Sequence, residues 1–214
     1  MTWLAQDMRW MRRALELAAR GRFTTWPNPM VGCVVVRDDS LLAEGWHRKH
    51  GEGHAEVNAL AQLDPGLDLS QATAYITLEP CSHKGKTPPC ADLLVSRGVG
   101  RVVVAMTDPN PLVAGQGLER LKHAGTTCEV GCLEREALQL NAPFVHCMTS
   151  VTPWVTLKWA QSADGFMDGR TSPAVAAGGY AITGSASRRW THALRARHDA
   201  ILVGMRTWLV DNPS

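Results

Sequence analysis

Apolar residues recur at helical spacing from Asp7 to Arg20, through Met8, Met11, Leu15 and Ala18, and Gly21 offers a stop. The stretch TTWPNP, with two prolines two residues apart, predicts an irregular loop. A continuous apolar run, VGCVVV, then predicts a buried strand, RDDS a turn, and LLAEGWH its partner strand. Residues 54–63 read as a helix with Val57 and Leu60 inward, and ATAYITL as a strand ending at Glu79-Pro80. Pro88 and Pro89 suit the start of a helix through CADLLVSRG, with Gly98 as its stop. RVVVAM is the next strand, DPNP a loop, GLERLKHAG a helix, TTCEV a short strand and LEREALQLNAPFVHCM one longer helix.

Strands alternating with helices predict a layered α/β domain, in which ligands sit beyond the carboxyl ends of strands. The loops EPCSH and TDPNP both follow strands directly and are candidate walls of a site. TSVTPW reads as a linker and VTLKWA as a new strand after it. We therefore expect a domain over 1–150 and the beginning of a second over 151–214, a length short for an independent fold.

Composition narrows the classes. A hydrophobic content of 45% is ordinary for a globular protein, and a net charge of +2 disfavours a general nucleic-acid binder. No stretch of about 18 apolar residues predicts a membrane span, and the N-terminal segment is too polar for a secretory signal. Arg9, Arg12 and Arg13 could mimic a transit peptide, but a surface helix accounts for them. A cytoplasmic, reducing setting is the expectation, so the six cysteines at 33, 81, 90, 128, 132 and 147 read as buried thiols, metal ligands or catalytic groups.

The chemistry concentrates in HAE at 54–56, PC at 80–81 and Cys90. One histidine and two thiolates leave an open position on zinc, and zinc nucleobase deaminases use this set in this order. Their glutamate, here Glu56, moves protons and is not a ligand. On a regular helix, residues two apart diverge by about 200°. His54 and Glu56 can therefore converge on one metal only at a helix start, where side chains lean back past the N-terminus. That end also favours thiolates. The alternatives are a disulfide, two unremarkable thiols, or a structural zinc site, which would want a fourth protein ligand. Many deaminase sites read Pro-Cys-x-x-Cys, whereas here SHKGKTPP separates the cysteines. With His83, Lys84, Lys86 and Thr87 around a glycine, this loop suits an anionic group such as a phosphate, a solvated basic loop being the plainer reading.

The blocks MRRALELAARGRFTTWPNPMVGCVVV, GEGHAEVNAL, AYITLEPCSHKGKTPPCADLL and TDPNPLVAGQGLERL closely resemble the bifunctional riboflavin-biosynthesis deaminase/reductases, the RibD family. The resemblance covers about residues 1–150 well. It implies a cytidine-deaminase-like three-layer α/β/α domain that deaminates 2,5-diamino-6-(5-phosphoribosylamino)pyrimidin-4(3H)-one to the aminouracil ribotide and ammonia. His54, Cys81 and Cys90 carry over as ligands of Zn2+, Glu56 as the catalytic proton shuttle, and Asn28, His47, His83, Lys86 and Asn110 as substrate contacts. Asn28 and Asn110 bring amides able to donate and accept, their alternative role being turn formation beside proline. After Pro153 the chain resembles the first part of the family's dihydrofolate-reductase-like α/β domain, which uses NADPH. VTLKWAQSADG, LRARHDAILVG and TWLVDNP carry that likeness. Ala160, Thr207 and Asp211 align with cofactor-side positions, and Lys158 and Arg195 with substrate-side ones. Ala181 stands where the family has Trp, Gly179 where it has Ser, and the family's later glycine-rich cofactor loop is beyond these residues. Reduction is thus not expected of these 214 residues alone. By resemblance the partners are a small phosphorylated pyrimidine and further copies of the chain, with no nucleic acid and no membrane. Outside this family, the alternatives are another zinc nucleoside or nucleotide deaminase, or a non-catalytic zinc-stabilised interaction module.

Overall fold

The computed structural model describes residues 3–83, 88–167 and 182–211, with the side chains of 206, 210 and 211 excepted. The chain divides into two compact units, Met1–Trp154 and Val155–Ser214.

In the first unit the order is α1 (Ala5–Ala18), β1 (Gly32–Arg37), β2 (Ser40–Trp46), α2 (Ala55–Leu60), β3 (Thr73–Ile76), α3 (Cys90–Ser96), β4 (Arg101–Val104), α4 (Gln116–His123), β5 (Thr127–Val130), α5 (Glu134–Leu140) and α6 (Ala142–Thr149). The strands form one sheet in the order β2-β1-β3-β4-β5. β1 runs antiparallel to both β2 and β3, whereas β3, β4 and β5 are mutually parallel.

The unbroken apolar runs follow from burial on both faces. Cys33, Val35, Ala74, Ile76, Val102 and Val104 pack with Ala55, Ala59, Leu94 and Leu121 of α2, α3 and α4. Their sequence neighbours Val34, Val36, Tyr75 and Val103 pack on the other face with Met11, Ala14, Leu17 and Ala137 of α1 and α5. The inner face of α1 is centred on Met11, Ala14 and Ala18, and Met8 and Leu15 flank it half-buried. On α2, Ala55, Ala59 and Leu60 face inward and Val57 is only half-buried. Gly45 of β2 explains the small residues: a Cβ there would lie 2.5 Å from the Ala59 nitrogen.

A mixed sheet of this order gathers loops at one end. Gly32 at the start of β1 pairs with Trp46 at the end of β2, and Cys33 with Ile76 at the end of β3. Ile76 in turn pairs with Val104 at the end of β4. The segments before β1 and after β2, β3 and β4 therefore converge, and these carry Asn28, His47, Cys81 and Asn110.

Two expectations are corrected. The single helix over LEREALQLNAPFVHCM is two helices, because Asn141 leaves helical geometry at φ −102°, ψ 21° and Pro143, near the start of α6, has no N–H to continue a ladder. The strand expected at VTLKWA is absent: residues 155–160 form no strand among the described residues. A strand needs a neighbour for its backbone groups, and none of the described residues supplies one here. Leu157 and Leu202 are accordingly exposed. The described regular elements of the second unit are α7 (Ser185–Arg195) and α8 (Met205–Asp211).

One buried polar network holds the α1 side. Asp7 is 3% exposed, accepts from the Tyr75 hydroxyl at 2.7 Å and from Arg101 Nη1 at 2.8 Å, and Arg101 also pairs with Glu129. Burial alone would raise the Asp7 carboxyl, but the bonds from Arg101 and Tyr75 reverse this and hold it below its ordinary 3.8. A depressed folded pKa contributes stability above the unfolded value that is lost as pH falls through the folded one. Asp7→Ala should cost ~3 kcal/mol, because it leaves the half-buried Arg101 short of a partner. Denaturant titrations at pH 7 and pH 2 check both points: the gap between wild type and variant should narrow at pH 2.

Candidate functional site

His54 is the N-cap of α2, with extended backbone at φ −68°, ψ 168°, and Glu56 lies in the first turn. The cap conformation lets residues two apart share one site. Cys81 follows β3 by way of Pro80, and Cys90 opens α3. His54 Nδ1 lies 3.6 Å from Cys81 Sγ and 3.3 Å from Cys90 Sγ, and the three donor atoms fall within 4.8 Å of one another. Donors bonded tetrahedrally to one zinc, at about 2.0 Å for nitrogen and about 2.3 Å for sulfur, stand about 3.5 Å apart, so the set fits that metal. No disulfide joins the cysteines; both are free thiols. The Cys90 amide points at Cys81 Sγ, 3.3 Å away. Bonds from Cys90 and His54 pull the Cys81 thiol below its ordinary range, which favours the thiolate. The Cys81 side chain in return raises His54.

Glu56 is 3% exposed, and burial pushes its carboxyl up to about 6. A carboxylate with such a pKa can both take and return a proton near neutral pH.

His54, Cys81 and Glu56 line a cavity of about 330 Å³, which Asn28, His47, His83 and Asn110 also line. His47 is buried, and its tautomer follows from its partners. Nδ1 faces the Gly53 carbonyl at 3.2 Å and so donates, which leaves Nε2 to accept from Asn28 Nδ2 at 3.1 Å. Burial lowers the His47 pKa, in keeping with a neutral ring. With its NH2 on His47, Asn28 keeps its carbonyl oxygen for a ligand. Asn110 combines its two roles: its Oδ1 accepts the Leu112 amide at 3.1 Å, which makes a turn, and the residue still lines the cavity. Lys84, Lys86, Gly179 and Ala181 lie outside the described residues, as does the side chain of Asp211. In the second unit, Lys158 is exposed and Ala160 half-buried in a segment without regular structure, while Arg195 ends α7 and Thr207 sits in α8.

The structure adds residues that sequence reasoning missed. Asp108, Phe144 and Met148 line the cavity, and burial raises the Asp108 carboxyl. Glu79 also lines it and is 5% exposed. Its Oε1 accepts the Gly117 and Leu118 amides at 2.9 and 3.3 Å, and its Oε2 those of Gly115 and Asp108 at 2.9 and 3.1 Å. The carboxylate thus fixes the start of α4 and the loop carrying Asn110 beside Cys81. Gly117 is required for this approach, since a Cβ would lie 1.9 Å from the Pro80 carbonyl oxygen. The available signal was a lone acid before Pro-Cys, which no pattern of spacing connects to amides some thirty-five residues later.

Comparison with known proteins agrees with this layout. Residues 4–106 match the family described as cytidine and deoxycytidylate deaminase zinc-binding region, and residues 153–214 match the RibD C-terminal domain. The chain is 49% identical over 209 residues to the riboflavin biosynthesis protein RibD of Escherichia coli, covering 98% of this chain and 55% of that protein. The solved structure of Acinetobacter baumannii RibD superposes with TM-score 0.87 at 47% identity, over 97% of this chain and 56% of that one. A Thermotoga maritima structure described as a diaminohydroxyphosphoribosylaminopyrimidine deaminase/5-amino-6-(5-phosphoribosylamino)uracil reductase gives TM-score 0.87 at 39% identity, over 97% and 58%. The chain spans about half the length of the curated relatives it matches.

Replacing the Glu79 carboxylate tests the clamp. Glu79→Gln sets an NH2 against backbone amides and should destabilise by ~2–3 kcal/mol, the cost of a buried donor without an acceptor. Urea unfolding measures it, and a loss below about 0.5 kcal/mol would contradict the clamp.

Proposed function

The chain belongs to the RibD family over the stretch it spans, and from that premise we propose that residues 1–150 form a zinc-dependent deaminase domain and 151–214 the first portion of a reductase domain. The break between Trp154 and Val155 supports this division. The proposed reaction is hydrolytic deamination of 2,5-diamino-6-(5-phosphoribosylamino)pyrimidin-4(3H)-one to 5-amino-6-(5-phosphoribosylamino)uracil and ammonia. The observation that carries it is the His54–Cys81–Cys90 donor set, of which His54 and Cys81 line the cavity together with buried Glu56.

His54, Cys81 and Cys90 would hold the metal, which when bound lowers the pKa of water towards about 7. Glu56 takes the proton from the attacking water on a carboxylate oxygen. It passes that proton to a ring nitrogen, then takes the second proton from the hydroxyl added to the ring carbon and gives it to the departing amine, so that one water is consumed and one ammonia released. Asn28, held by His47, accepts from the pyrimidine edge, and Asn110 donates to it. His83 and Lys86 bind the ribose phosphate, which gives the long loop between the cysteines a use. In the second portion Lys158 and Arg195 would face substrate, and Ala160, Thr207 and Asp211 would face NADPH, as in the reductase family. A small phosphorylated pyrimidine rather than nucleic acid accords with a net charge of +2 and a cavity of about 330 Å³. A cytoplasmic site accords with free cysteines, and among the described residues no helix is long and apolar enough to cross a membrane. Assembly into a homo-oligomer is proposed from the family alone.

Purified protein should contain stoichiometric zinc and release ammonia from the ribotide much faster than from cytidine or dCMP. A zinc-free active protein, or a preference for cytidine, would sink this reading. Glu56→Gln should keep its zinc and lose about 10²–10⁴-fold in kcat. Lys86→Ala should keep zinc and kcat and raise KM for the ribotide, which steady-state assays with metal analysis will read.

A further inference from the structure

Asn141 is neither a member of the donor cluster nor among the residues lining the cavity, yet it joins two of the cavity's walls. It is 2% exposed and lies between α5 and α6. Its Oδ1 accepts the Met30 amide at 2.8 Å and its Nδ2 donates to the Met30 carbonyl at 2.8 Å, so one side chain satisfies both backbone groups of a residue 111 positions away. Met30 stands two residues past Asn28, whose amide is fixed on His47. On the other side, the Asn141 amide donates to Ala137 of α5 at 3.1 Å and its carbonyl accepts the Val145 amide of α6 at 2.9 Å.

α6 needs such a tether. It has no fully buried residue, and Val145 alone of its side chains packs in part against the core. Phe144 and Met148, one helical turn apart on one face, line the same cavity as His54 and Cys81. The placing of that wall therefore depends on the Asn141 bonds more than on burial. Only a primary amide of this length supplies one acceptor and one donor side by side. An aspartate would set a second acceptor against the Met30 carbonyl, and an alanine would leave two buried backbone groups without partners.

We infer that Asn141 is a positioning residue: it holds the Phe144/Met148 wall in register with the Asn28 lip and so sets the fit of the pyrimidine ribotide. This rests on the reading of the cavity as the ribotide site. A residue that served folding alone would change stability and leave the kinetic constants of the folded protein as they were.

The test uses the zinc-loaded full chain at a temperature where each variant is folded and retains zinc. Asn141→Asp should raise KM for the ribotide about tenfold, the scale of one lost buried hydrogen bond, and change kcat by less than about threefold. Hydrogen exchange should show the Met30 amide and α6 losing protection together. An unchanged KM in a folded Asn141→Asp, or α6 exchange that stays as in wild type, overturns the inference. Should Asn141→Asp not fold, the pair Phe144→Ala and Met148→Ala replaces it: a similar rise in KM supports the wall's role, and an unaltered KM overturns it. If the wild type turns over no ribotide, the functional reading fails by itself. The exchange data still decide whether Asn141 tethers α6 to Met30, and without that tether the inference falls too.

Discussion

The Glu79 carboxylate is the constraint on which the site depends. A buried anion is costly unless its lone pairs are filled, and four backbone amides fill these. All four belong to the segment running from the loop after β4 into α4, whereas Glu79 itself immediately precedes Pro80 and Cys81. The electrostatic need of one side chain thereby locks two neighbouring crossover loops together, one carrying a candidate metal ligand and the other Asn110. The positive end of α4 adds to the attraction. Gly117 is the steric counterpart, because only a residue without Cβ lets α4 come so near the Pro80 carbonyl.

Much of the sheet was legible in the sequence because burial on two faces leaves a strong mark. VGCVVV and RVVVAM have no polar alternation to confuse them, and the turn between β1 and β2 is marked by Asp38 and Asp39, both at positive φ. The helix after β5 was harder. LEREALQLNAPFVHCM keeps a helical pattern across Asn141, since neither residue type nor periodicity reveals that its side chain is engaged with Met30. The stretch at 155–160 fails for the opposite reason: VTLKWA has strand propensity, but propensity supplies no pairing partner.

The candidate chemical groups were legible for a different reason. Zinc chemistry restricts residue types so strongly that His-x-Glu and Pro-Cys stand out without any knowledge of packing. The polar clamps did not stand out. Glu79 and Asn141 act on backbone amides, which every residue offers, so nothing at the far end of the bond marks the sequence. Phe144 and Met148 were read as ordinary helix residues because an apolar cavity wall and an apolar core face look alike in one dimension.

These two groups of residues form a hierarchy that explains why the cavity stands at this end of the sheet. β1 is antiparallel to β3, so the chain reaches its first strand through the same region from which β3 and β4 leave. A wholly parallel sheet would bring only the carboxyl ends of strands to that edge. The reversal of β1 adds the segment before it, with Asn28, beside the carboxyl end of β2, with His47. Asn28 and His47 can then fix one another, a neutral ring accepting from an amide, while Asn141 ties the same segment to α6. The donor cluster is thus set by α2, α3 and the loop after β3. The recognition side is set by strand direction and by hydrogen bonds to Met30. The Asn141 bonds to Met30 act within the second group alone, whereas His47 joins the two groups, since its ring meets the Gly53 carbonyl immediately before His54.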